Sequence, residues 1–95
     1  MIIKPPIEGR RNTEEVKIME VKVLFFGVLV EVTGTNFKNY KDVKSISDLK
    51  LRISDDFPEV IHYYFIVSLN NEIINTNHDL KEGDEVALMP PFAGG

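Results

Sequence analysis

Cysteine is absent from all 95 residues, and so is tryptophan. Without a thiol the chain has no cysteine nucleophile, no thiolate metal site and no disulfide, so a domain of this length must be held by one apolar core. Histidine is scarce: His62 and His78 stand far apart, in no ligand-like spacing, and offer neither a zinc site nor a relay for a nucleophile. No apolar run approaches the roughly 20 residues of a membrane span. The opening Met-Ile-Ile-Lys-Pro-Pro also lacks the basic region and long apolar core of a secretion signal. Positive charge is in deficit, with 15 acidic residues against 11 Lys and Arg and a net charge of -4. The average field therefore repels phosphate backbones and acidic head groups. The early basic residues Lys4, Arg10, Arg11 and Lys17 are broken up by Glu8, Glu14 and Glu15, with no aromatic platforms between them. Neither nucleic acid nor a membrane is an expected partner, and a soluble cytoplasmic protein is the expected class.

What is present fits one domain. Residues 1–18, interrupted by Pro5, Pro6 and Gly9 and rich in charge, read as a flexible extension, with an added edge strand at Val16 and Ile18 as the alternative. Met19 directly precedes the first ordered-looking run, so a second translation start there would still yield the domain. Residues 20–27 form the strongest strand signal, with Val21, Val23 and Phe25 on one face and Lys22, Leu24 and Phe26 on the other. Phe26 either packs under a loop or faces outward. After a break at Thr33-Gly34, residues 36–41 alternate again and predict a strand pairing back through a long loop. Ser45 followed by Asp48 is an N-cap signature, and Ile46, Leu49, Ile53 and Phe57 follow at helical spacing, with Pro58 marking the exit. Residues 63–69 predict a third strand, Asn70-Asn71 a positive-φ turn, and Glu72-Ile73-Ile74 its return. Asp79, Glu82, Asp84 and Glu85 lack the spacing of a calcium loop and read as solvated turn residues, with Gly83 in a backbone region that favours glycine. The last strand is Glu85 to Met89. This order predicts an α+β fold, the ubiquitin-like β-grasp. A mixed sheet of four or five strands would pack on one principal helix, with first and last strands central and parallel. The domain limits are residues 19–90.

Residues 91–95 are harder to explain by folding. The final strand stops at Pro90 and Pro91, which cannot continue a ladder, and the chain finishes with Phe92, Ala93, Gly94 and Gly95. Two glycines pack nothing and lose much backbone freedom if ordered, so this flexible tail gains nothing for the fold. It does present a terminal carboxylate on a narrow stem that a cleft can surround without meeting a Cβ. A frayed terminus is the alternative.

Lys22-Val23-Leu24-Phe25-Phe26-Gly27, the capped helix at Ser45, Asn70, the run from Leu80 to Val86 and above all Pro90-Pro91-Phe92-Ala93-Gly94-Gly95 carry a resemblance to a known family. Over about residues 19–95 the chain resembles the ubiquitin-like sulfur carriers of the MoaD and ThiS kind, and within them the small subunit of molybdopterin synthase. Where a family arginine follows the first strand, this chain reads Val28-Leu29-Val30-Glu31.

The resemblance implies a non-catalytic carrier subunit with no stably bound cofactor. Gly95 would be the terminal acyl and sulfur carrier and Gly94 would give it clearance. An ATP-dependent adenylating enzyme of the ubiquitin-activating kind and a sulfur donor protein would convert the carboxylate to a thiocarboxylate. The molybdopterin synthase large subunit would then receive the tail. Family position and alternation together place Phe26, Ile73 and Met89 on the partner-binding surface, with Pro90, Pro91 and Phe92 beside them. Met89 as a flexible core filler is the alternative. Two other functions share the first activation step: a thiazole-pathway sulfur carrier, and a ubiquitin-like modifier conjugated to lysines.

Overall fold

The computed structural model describes residues 19–91. The expected extension at residues 1–18, with its alternative strand at Val16 and Ile18, lies outside the described residues, as does the tail from Phe92 to Gly95.

Strand β1 (Glu20–Phe25) buries Val21, Val23 and Phe25 and leaves Lys22 in solvent, as its alternation demands. It pairs antiparallel with β2 (Phe37–Lys41) and parallel with the last strand, β5 (Glu85–Met89). Between β5 and the open edge run β3 (Ile66–Leu69) and β4 (Glu72–Ile74), so the spatial order is β2-β1-β5-β3-β4. The β-grasp expectation holds, with five strands. Gly27 and Gly34 bracket a six-residue helix, α1 (Val28–Thr33), where a plain loop was expected. Its β-branched residues are poor helix formers. Tertiary burial decides instead: Leu29 is fully enclosed, the Gly34 N–H closes the helix on the Val30 carbonyl at 2.7 Å with Gly34 left-handed (φ 77°), and the Thr33 hydroxyl donates to the Leu29 carbonyl.

The principal helix α2 (Ile46–Asp56) starts as predicted. The Ser45 hydroxyl accepts from the Asp48 N–H at 3.2 Å, while the Asp48 carboxylate accepts from the Lys44 N–H at 3.1 Å. Ile46, Leu49 and Ile53 enter the core and Leu51 stays outside it. These helix residues meet Val21, Val23, Phe25, Val86 and Leu88 from the inner face of the sheet, and the Phe57 ring meets Phe25 edge-on at 5.9 Å. Pro58 ends the helix and opens a 3-10 turn (Pro58–His62), anchored by buried Val60 and closed by the Tyr63 N–H on the Val60 carbonyl. That turn consumes residues expected in β3, whose strand begins only at Ile66.

A third correction concerns Asp84, just before β5. Asp84 is 7% exposed, not a solvated turn residue. Its two oxygens accept from the Asn70 side-chain amide (3.0 Å) and the Lys81 N–H (2.8 Å), while Asn70 Oδ1 accepts from the Glu85 N–H (2.9 Å). Asn70 can serve there because asparagine tolerates its left-handed backbone (φ 51°). The Glu82 carboxylate accepts from the Glu20 N–H at 2.7 Å, so this corner also holds the start of β1.

On the far side, β2 is clamped to α2. Lys38 Nζ lies 3.0 Å from Asp56 Oδ2, and the Arg52 guanidinium donates to the Lys41 carbonyl at 3.1 Å. The contact with the Lys38 ammonium, and after it the nearby Tyr40 hydroxyl, holds the Asp56 carboxyl below its ordinary value. The Tyr40 hydroxyl is buried without a well-formed hydrogen bond among the described residues. Burial first, and the Asp56 carboxylate beside it second, push the phenol well above its ordinary value.

Asp84→Ala should leave the Asn70 amide and the Lys81 N–H short of an acceptor, at a cost of about 1–3 kcal/mol. Urea unfolding of the wild type and this variant checks it; equal midpoints would show that the carboxylate is dispensable.

Candidate functional site

The inner face of the sheet is filled by the core, so the opposite face decides what the domain can hold. Across the ladders, Phe37, Leu24, Ala87, Ser68 and Ile73 stand opposite one another in turn. Each alternates with a core residue on its strand or pairs with one that does, so the row lies on the outer face. Towards the end of β5, Met89 faces Ile66, and Phe26 follows Phe25, whose partner is Leu88. Three members are well exposed: Phe26 at 45%, Phe37 at 48% and Ile73 at 68%. Leu24, Ala87, Ile66 and Met89 are half-buried around them. An apolar centre with a polar border results, since Lys22 and Glu85 stand in register at the other end of these strands. The Lys22 ammonium lies 4.9 Å from the centre of the Phe37 ring, a cation–π contact that extends the aromatic surface rather than interrupting it.

The prolines leave from this same patch. Phe26 donates its N–H to the Leu88 carbonyl at 3.1 Å, and one residue past Met89 the ladder ends. Pro90 is half-buried and its ring occupies the space beside Gly27, where a Cβ would fall 2.7 Å from Pro90 Cγ. Pro91 is exposed. Phe92, Gly94 and Gly95 lie outside the described residues.

Of the predicted surface, Phe26, Ile73, Met89 and Pro90 therefore sit on or at the edge of one face, with Pro91 beyond it. Phe26 faces outward rather than packing under a loop. Met89 is on the outer face with Glu85 and Ala87, opposite buried Val86 and Leu88, so it is not a core filler. Sequence reasoning missed Phe37. It was assigned to a strand but not to a surface. The usable signal was its position in the alternation of residues 36–41, which sets Phe37, Asn39 and Lys41 against Lys38 and Tyr40.

Among the described residues this face presents apolar side chains, a surface suited to binding. The described residues contain no group of three or more His, Asp or Glu that could hold a metal, and no helix of the described residues is long and apolar enough to cross a membrane. The one hydroxyl in the row, Ser68, is buried against Ala87 with no base beside it in the register.

A family model described as the ThiS family matches residues 23–95. The chain belongs to the ThiS family. Within it, the chain is 34% identical over 83 residues to the molybdopterin synthase sulfur carrier subunit of Chlamydomonas reinhardtii, covering 81% of this chain and 100% of that one. It is 29% identical over 80 residues to the protein of the same name from Escherichia coli K12, covering 79% and 99%. Among solved structures it is similar to a chain of the complex of subunits 1 and 2 of the molybdopterin-converting factor from Helicobacter pylori, with a TM-score of 0.62, 28% identity and coverage of 81% and 100%. It is also similar to the small archaeal modifier protein 1 of Methanosarcina acetivorans, with a TM-score of 0.71, 25% identity and coverage of 83% and 99%.

If the outer face serves binding, its aromatic and aliphatic members should be removable without unfolding this ThiS-family domain. Phe37→Ser and Ile73→Ser should each change stability by less than about 0.5 kcal/mol, whereas Leu88→Ala, on the inner face of β5, should cost about 2–5 kcal/mol. Chemical denaturation of the three variants distinguishes the faces; a large loss for Phe37→Ser would make it a core residue.

Proposed function

We propose that this protein is the sulfur-carrying small subunit of a molybdopterin synthase. The observation that carries the reading is the convergence of an exposed apolar face with the exit of a Pro-Pro segment leading to Gly94 and Gly95. That arrangement suits a domain that is held by its face while its end is used elsewhere. Similarity to two sulfur carrier subunits over nearly their whole length supports it.

The chemistry follows from what a carboxylate cannot do. It is a poor acyl electrophile, so an ATP-dependent adenylating enzyme first joins the Gly95 carboxylate to AMP, releasing pyrophosphate. Hydrosulfide released by the sulfur donor then attacks the acyl carbon, the acyl–oxygen bond to AMP breaks with AMP as the leaving group, and a terminal thiocarboxylate remains. None of these steps asks for a catalytic side chain in the carrier. In the large subunit the thiocarboxylate sulfur passes to the pterin precursor, and placement of the tail in that cleft supplies the proximity that a free end lacks. Likeness to a subunit of the Helicobacter pylori two-subunit complex favours such a partner, and Phe26, Phe37 and Met89 would form the centre of the contact, with Pro90, Pro91 and Phe92 leading away from it.

A second reading, protein modification through lysine amines, draws on the likeness to the archaeal modifier protein. Mass analysis separates them: free carrier with sulfur in place of oxygen supports sulfur transfer, and widespread lysine adducts support modification. A thiazole-pathway carrier would be betrayed by its copurifying partner.

Deleting Gly95, or adding one residue after it, should abolish thiocarboxylate formation and sulfur transfer while leaving thermal unfolding unchanged; transfer by an intact extended chain would overturn the assignment of Gly95. The two large partners should also exclude each other, because one tail cannot fill two clefts. In a titration of labelled carrier bound to the purified adenylating enzyme, the large subunit should displace it, and Met89→Asp should weaken both complexes without unfolding the domain. A stable ternary complex would refute the shared surface.

A further inference from the structure

The two open edges of the sheet are treated differently. Along β2 the edge is guarded by Lys38 and Lys41, the Arg52 guanidinium covers the Lys41 carbonyl, and Lys38 is tied to Asp56. Among the described residues the β4 edge has no such guard: Glu72 is the strand's one charge, and Ile73 and Ile74 follow. In the two-residue hairpin at Asn70-Asn71, Leu69 pairs with Glu72 and Val67 with Ile74 as the hydrogen-bonded partners. The N–H and carbonyl of Ile73 then point away from β3, toward the free edge.

Under that edge lies an open groove of about 990 Å³ between β4, the 3-10 turn and α2. Its rim carries Leu51, Ile61 and Tyr64, each more than half exposed, and none is accounted for by the core. Among the described residues that line it, Lys50 is the one charged group and no carboxylate is present, although the chain as a whole has 15 acidic residues against 11 basic. An unguarded backbone edge, an apolar trough beneath it and a lysine in an otherwise acidic protein select the same kind of occupant.

We propose that the β4 edge and this groove bind an extended, apolar segment of a partner protein that carries a carboxylate. Laid along β4, such a segment pairs its backbone with Ile73, sends alternate side chains down toward Leu51 and Ile61, and brings its carboxylate to Lys50. The remaining side chains lie beside Ile73, so this surface joins the outer face at its margin yet is separated by two strands, β3 and β5, from β1 and the Phe26 end of the patch. The proposal does not rest on the sulfur-carrier reading.

The probe is a blocked peptide, acetyl-Glu-Val-Ile-Val-Ile-Glu-amide, titrated into isotope-labelled full-length protein by NMR. Saturable shifts should centre on Lys50, Leu51, Ile73 and Ile74. Leu51→Asp, a change at an exposed position that leaves the fold intact, should weaken binding at least about tenfold. Lys50→Glu should weaken the acidic probe and strengthen the version with lysine in place of both glutamates. Proline at the centre of the probe should abolish binding by removing the edge hydrogen bonds. No binding up to on the order of 1 mM, shifts centred on Phe26 and Phe37, or indifference to the central proline would overturn the proposal. Two further results would replace the occupant and so overturn it: groove shifts on removing residues 1–18 without any probe, meaning that the chain fills its own groove, or groove shifts that grow with protein concentration, meaning that a second copy does.

Discussion

The parallel pairing of β1 with β5 is the constraint on which the rest depends. Its register sets Val23 beside Val86 and Phe25 beside Leu88, which builds the middle of the core. The same register sets Leu24 beside Ala87 on the other face and brings Phe26 to the end of β5. A slip of β5 by one residue would turn that strand inside out, putting Glu85 in the core and Leu88 in water. Core and outer apolar face are therefore two readings of one ladder, and neither can be altered by register without losing the other.

The polar corner around Asp84 defends that register. Glu20, at the start of β1, is held by the Glu82 carboxylate and by the Gly83 N–H on its carbonyl, and Lys22 donates to the Asp84 carbonyl. Asn70 reaches the same corner from the β3–β4 turn. Three strands are thus tied at one end by groups that would be unpaired in any shifted alignment. Asp84 is the buried member of this corner, and leaving a buried carboxylate without partners costs more than pairing it contributes, so the main effect is to penalise the wrong arrangement.

Much of this was legible in the sequence because it depended on short-range rules. The period-two pattern of residues 21–25, the Ser45 cap and the Asn70-Asn71 turn all act within a few residues, and each stands where it was expected. What failed to show was decided at a distance. Helix α1 exists because Leu29 finds a place in the core, against the preference of its valines. The start of β3 was misplaced because Val60 draws the chain into a 3-10 turn, and Asp84 looked like a surface residue because its partners, Asn70 and Lys81, are assembled only by the fold. Phe37 was visible as a strand residue, yet its membership of the outer patch needed the β1–β2 register, which no local pattern states.

The placement of β5 also bears on synthesis. Of the described strands, the one that completes the centre of the sheet is also the last in chain order, so β1, β2 and α2 have no central neighbour until β5 has been made. A product cut short before β5 has no means of burying the inner faces of β1 and β3, and it falls to proteolysis as an unfolded chain. Folding thereby reports on β5 itself: a copy that folds has, by necessity, been translated through the strand that leads into Pro90.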